Sequence, residues 1–229
     1  MSRSNQADNK KLFNNNCRFL PPQIIDFLSL CKSEKFYTTI TTNGQALNKS
    51  TILQLYNTGA VNEISVSVDS VDKKVFEQIR QGLDYNIVTN NIKILKELFN
   101  NLTIEVVELP ENEGEHDRIR KFFSGINVIF NKDKRINKGF GKNYVCAKID
   151  HSLTICADGS VLKCCFDYKT DSYVGNISES SLRDIWLSDK NFDFLLKNKE
   201  NRLSEIPICR QICIRGSSFP NRIHTSPEP

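Results

Sequence analysis

The sequence predicts an α/β protein in two parts: a partial parallel (β/α) barrel, then a small cysteine-rich α+β domain with a β-hairpin. Three observations carry this. Helical and strand-like apolar periods alternate between about residues 22 and 130. Such alternation favours parallel strands joined by helical crossovers. An Asp158-Gly159 pair between two β-prone runs marks a hairpin turn. Six of the eight cysteines, Cys146, Cys156, Cys164, Cys165, Cys209 and Cys213, fall late in the chain.

Taken in order, residues 1–14 are rich in Asn, Lys and Ser without apolar period and read as a disordered lead-in. The barrel-like domain is expected over 15–137. From Pro22, the residues Ile24, Ile25, Phe27, Leu28 and Cys31 recur at helical spacing, and a β-rich run from Phe36 to Thr41 follows. A helix over 49–56 stops at Asn57-Thr58-Gly59. Next, Ile64, Val66 and Val68 alternate with Ser65, Ser67 and Asp69, so a strand carries its polar residues on one face. Helices over 72–81 and 87–99, a strand over 102–108, a helix over 115–124 and a strand over 126–130 complete this part. The second domain spans 138–216, with a hairpin over 153–165 and helical sequence over 178–199; residues 217–229 read as a flexible tail. Ser178 or Ser180 is expected to cap that helical segment, with Leu182, Ile185 and Trp186 packed over the hairpin.

Composition excludes several classes. A chain of 229 residues suffices for one large or two small domains. Lys and Arg number 31 against 27 Asp and Glu, a formal net charge of +4, and the charges are interspersed. No basic run tracks a nucleic-acid backbone, so nucleic acid is not an expected partner. No apolar run spans a bilayer and the first residues are polar, which points to a cytoplasmic protein without membrane contact. In that reducing compartment, clustered cysteines read as metal-binding or catalytic.

In a parallel sheet, ligands gather beyond the carboxyl ends of the strands. Thr41-Thr42-Asn43-Gly44 and Ser67-Val68-Asp69-Ser70 end two consecutive expected strands, so their polar side chains share one mouth. The plainer reading is a turn at Asn43-Gly44 and a helix cap at Ser67 and Asp69. Cys31 reads as a core residue, Cys17 as a loose thiol, and Trp186 as core. His116, His151 and His224 lie in polar surroundings, and Asp158 and Asp167 occupy turns.

The runs 40–44, 64–69, Phe76-Glu77-Gln78-Ile79-Arg80-Gln81-Gly82 and 90–95, in this order, resemble the middle of a radical S-adenosylmethionine enzyme. The tail resembles the SPASM/twitch auxiliary-cluster domain that follows such a core. It shows Cys146, twelve residues, Gly159, four residues, Cys164, then Val174-Gly175-Asn176-Ile177, Ser181 to Trp186, and the Cys209/Cys213 knuckle. The resemblance spans about residues 19–216. It implies a partial barrel that holds a [4Fe–4S] cluster and S-adenosylmethionine, whose cleavage gives a 5′-deoxyadenosyl radical that modifies a peptide or small molecule. Thr42, Asn43, Ser67 and Asp69 are implied near the methionyl and ribose groups, with Arg80 turned to the same mouth. Cys146, Cys164, Cys209 and Cys213 are implied ligands of one auxiliary [4Fe–4S] cluster serving as electron relay, structural staple or substrate dock. Cys165 is then a spare thiol on the opposite strand face, and Cys156 a substitute ligand. Zinc is the competing metal, since four thiolates satisfy its tetrahedral preference.

The sequence departs from the family at two points. It has no C-x3-C-x2-C loop for the catalytic cluster, and Asn15-Asn16-Cys17-Arg18 stands where a Gly-Gly-Glu-Pro motif belongs. The barrel is therefore expected to lack its first strands, to leave the Thr38–Thr41 strand with an exposed edge, and not to generate the radical alone. A partner protein or subunit is the expected source of the missing strands. The alternative reading is a non-catalytic, zinc- or cluster-stabilised module that binds a peptide or partner.

Overall fold

Residues 23–132, 145–167 and 169–210 are described by a computed structural model, and the chain divides after Lys132 into two units. The expected lead-in and tail, Cys17, His224 and Cys213 lie outside the described residues.

The first unit runs α1 (Ile24–Ser33), β1 (Thr38–Thr42), α2 (Lys49–Thr58), β2 (Val61–Ser67), α3 (Lys73–Ile79), α4 (Tyr85–Leu98), β3 (Leu102–Glu108), α5 (His116–Phe122) and β4 (Asn127–Lys132). The four strands are parallel, in the order β1-β2-β3-β4, and form an open sheet. Local chemistry sets the helix ends. Asn48, Asp72 and Asp84 each accept an amide hydrogen bond at the start of α2, α3 and α4. Gly59 ends α2 in the left-handed region, φ +57°, a conformation that costs glycine little. Leu28, Ile52, Leu55, Ile64, Val66, Phe76, Val88, Leu95 and Ile104 form its core.

On β2, Ser65 is buried as well as Ile64 and Val66, because a central parallel strand is covered on both sides. One expectation changes at the sheet's edge. β1 is the sheet's first edge among the described residues, yet all five of its residues are buried. That edge is not open to water; Phe36 N donates to Cys31 O, folding the end of α1 back to the start of the strand.

The second unit contains α6 (Ala147–His151), the antiparallel strands β5 (Thr154–Ile155), β6 (Ser160–Leu162) and β7 (Tyr173–Asn176), then α7 (Leu182–Trp186) and α8 (Asp189–Lys199). The hairpin turns at Asp158-Gly159, with Gly159 at φ +83° and its N–H donating to Cys156 O at 3.0 Å. The sequence did not mark β7 as a strand. It is short, and its Gly175 gives no β signal; a Cβ there would lie 2.9 Å from Ile185 Cγ1. The caps also move: Ser181 starts α7 and Ser188 starts a separate α8, in place of Ser178 or Ser180. Ile185 packs on Val161 and Val174 as expected, but Leu182 is exposed.

Candidate functional site

At the carboxyl ends of β1 and β2, backbone turns and buried polar side chains are tied together. Thr42, buried at the end of β1, accepts from Gly44 N through Oγ1 at 3.1 Å, and Asn43 Oδ1 accepts from Gln45 N at 3.0 Å. Gly44 takes φ +78°, and a Cβ there would sit 3.1 Å from Val66. Asn91 of α4 donates to Gly44 O at 2.9 Å and to Leu47 O. Ser67 ends β2 half-buried. Asp69 is 3% exposed; its Oδ1 accepts from Val107 N at 2.8 Å and its Oδ2 lies 2.8 Å from Arg80 Nε. That last contact is an ion pair by distance only, since the Nε–H is not aligned as a hydrogen bond.

Sequence reasoning missed three residues of this region. Asn112 donates to Asp69 O at 2.6 Å and to Val107 O at 2.8 Å. Buried Glu115 accepts from Ser70 Oγ at 2.8 and 3.0 Å and from Val71 N at 3.3 Å. Asn91 figures in the sequence only as part of a helical run. Asn91 and Glu115 act on groups more than forty positions away, and Asn112 ties its own turn at Val107 and Leu109 to the distant Asp69 carbonyl. A polar depression lined by Glu63, Lys96, Asn101 and Asn127 opens instead at the amino ends of β2 to β4, away from this mouth.

In the second unit, Cys146, Cys164 and Cys209 share one small apolar cluster with Ile149, Leu203, Ile206 and Ile208. Cys146 precedes α6, Cys164 follows β6, and Cys209 is buried near the end of the described chain. Cys146 is held by Asn198, fully buried on α8, which accepts from Cys146 N at 2.8 Å and donates to Cys146 O at 3.1 Å and Asp150 Oδ1 at 2.8 Å. Cys164 Sγ accepts from Phe166 N at 3.4 Å. Cys165 lies in the turn after β6 and not on a strand, and Lys148 Nζ donates to its sulfur at 3.0 Å. Burial pushes the Cys156 thiol up, with Asp158 and Asp167 adding to the rise. Among the described residues, no three His, Cys, Asp or Glu side chains stand close enough together to hold a metal ion.

The residue types nonetheless fit a thiolate-bound cluster. Cys146, Cys164 and Cys209 border one apolar cluster, and thiolates are the donors that hold iron–sulfur centres. Beside them, the Lys163 side chain is 1% exposed, and its Nζ has no hydrogen-bond partner among the described residues. Burial lowers its pKa to about 8, and the charges of Asp150 and Cys146 oppose that fall. Its only described attraction of another kind is the Trp186 ring, 4.6 Å away. Trp186 is therefore half-buried under a cation instead of being plain core. His116 also departs from expectation: it stacks on Phe130 and lies 3.0 Å from Glu108. Asp167, expected as an ordinary turn residue, is buried and ties Lys169, Asp171 and Ser172 into one loop.

Residues 15–123 match the Radical SAM superfamily, and residues 146–213 match SPASM, an iron–sulfur cluster-binding domain. No curated protein matches the chain. Among solved structures, BtrN in complex with AdoMet and 2-DOIA is 17% identical with a TM-score of 0.48, over 84% of this chain and 65% of that one. Histidine-tagged anSMEcpe with bound AdoMet is 14% identical with a TM-score of 0.57, over 90% of this chain and 71% of that one. Native anSMEcpe with bound AdoMet and Kp18Cys peptide is 15% identical with a TM-score of 0.57, over 90% and 75%. At these identities the likeness to the anSMEcpe structures is one of fold. Among the described residues, no helix is long and apolar enough to cross a membrane.

Proposed function

For a chain that joins a radical SAM superfamily segment to a SPASM iron–sulfur cluster-binding domain, we propose that the retained working centre is one auxiliary [4Fe–4S] cluster on Cys146, Cys164, Cys209 and Cys213. The observation that carries this reading is the gathering of Cys146, Cys164 and Cys209 on a single apolar patch. Cys213, outside the described residues, supplies the fourth thiolate. Four thiolates saturate the irons, so substrate is not bound at an open metal site. The cluster's chemistry is one-electron transfer; the residues of this chain hold it, exclude water from it and set its charge.

The 229 residues contain no C-x3-C-x2-C, so this chain by itself does not cleave S-adenosylmethionine. Thr42, Asn43, Ser67 and Asp69 are assigned to the cofactor's methionyl and ribose side. Hydroxyl, amide and carboxylate groups suit an ammonium and a diol. Asp69 already engages Arg80 and Val107, so its part is to place the Arg80 guanidinium. The bound peptide in an anSMEcpe structure favours a peptide as the substrate class.

Anaerobic reconstitution with iron and sulfide tests the cluster. The expected result is roughly four irons per chain and a broad absorbance near about 400 nm, lost in a Cys146→Ser/Cys164→Ser double variant and kept in Cys165→Ser. Purified protein carrying zinc, with no such band after reconstitution, overturns the reading in favour of a zinc-stabilised module.

A further inference from the structure

Burying an ammonium without a hydrogen-bond partner is costly, and such groups persist where a charge compensates them. Lys163 is in this position: 1% exposed, Nζ unpartnered among the described residues, and packed on the Trp186 ring. It stands immediately before Cys164, and the anionic forms of Cys146 and Asp150 act on it through space. Asp150 is fastened through Asn198, which also clamps the Cys146 backbone. The Asp150 carboxylate and the thiolates carry the same sign, so both add to the negative charge that the Lys163 ammonium faces. Lys163 and the three described cysteines lie in the same small unit.

We propose that Lys163 is a positioning residue that sets the reduction potential of the auxiliary cluster, its buried ammonium balancing the negative charge of the thiolate-bound iron. The inference rests on the assignment of Cys146, Cys164, Cys209 and Cys213 as the cluster's ligands. Reduction of a cluster adds one electron and one negative charge, so a fixed nearby cation favours the reduced form, more strongly where water is excluded. Trp186 covers the ammonium on one side.

The test is a redox titration of the reconstituted full chain, with dithionite as electron donor and the cluster followed by its visible band and by electron paramagnetic resonance. Lys163→Met keeps the length and apolar stem of the side chain; Lys163→Arg keeps the charge. With iron content unchanged, Lys163→Met is expected to shift the ratio of reduced to oxidised cluster at a fixed potential about tenfold or more towards oxidised, about 59 mV for a one-electron couple. Lys163→Arg is expected to recover most of the shift. Equal potentials in wild type and Lys163→Met overturn the inference and leave the cluster site standing. Loss of iron from both Lys163→Met and Lys163→Gln overturns it too, since the lysine is then structural. A wild-type chain that takes up no cluster overturns the ligand assignment itself.

Discussion

Asp69 and Arg80 close the carboxyl end of β2, with Asp69 Oδ2 2.8 Å from Arg80 Nε and Asp69 Oδ1 accepting from Val107 N at 2.8 Å. One carboxylate thus joins α3 to the neighbouring β3. It is 3% exposed and the arginine side chain 21%. The sequence singles out this residue for its place at a strand end, and its geometry makes it first a strut of the mouth.

Removing that strut has a measurable cost. Asp69→Ala leaves the Val107 amide and the guanidinium without their acceptor, and the loss is expected to be about 2–4 kcal/mol in urea unfolding. Asp69→Asn, which keeps an acceptor for Val107, is expected to lose roughly half as much. Equal, sub-kilocalorie effects from both would show that the pair is only a surface contact.

Much of the architecture was written in local signals. Strands 64–68 and 102–108 carry dense β-branched residues, and the Asp158-Gly159 turn announces its hairpin. Cys146, Cys164 and Cys209 stood out through the resemblance to an auxiliary-cluster domain, and the fold brings all three to one apolar cluster. What stayed hidden acts at long range: Asn91, Asn112, Glu115 and Asn198 each bond to a backbone or hydroxyl group forty-three to fifty-two positions away. An asparagine inside a helix gives no sign of the carbonyl it will meet. Lys163 was invisible for the same reason, since only folding places its ammonium over the Trp186 ring.

Asn198 supplies the second prediction. Its side chain satisfies both the N–H and the C=O of Cys146 and fixes Asp150. Asn198→Ala leaves these buried groups without partners, a loss expected at about 2–3 kcal/mol. The reconstituted variant should release iron to a chelator several-fold faster than wild type, while Lys199→Ala, at an exposed position of α8, should match wild type. Unchanged iron release would mean that Cys146 is held by other means.

The third prediction concerns Cys31, buried where α1 meets the start of β1. Burial pushes its thiol up from the ordinary value, with Thr38 opposing. The folded state therefore keeps the proton to higher pH than the unfolded chain does. This contribution to stability is fully present below the unfolded thiol's pKa and is lost as pH rises through the folded value. Two consequences can be measured. At about pH 8, iodoacetamide should label Cys31 at least about tenfold more slowly in native protein than in urea, because the thiolate is the nucleophile and burial withholds it. Cys31→Val, close in volume and without a titrating group, should lessen the fall in urea-unfolding stability between that pH and the alkaline range. Rapid native labelling at Cys31, read by peptide mass spectrometry, would contradict the burial that links α1 to the strand edge.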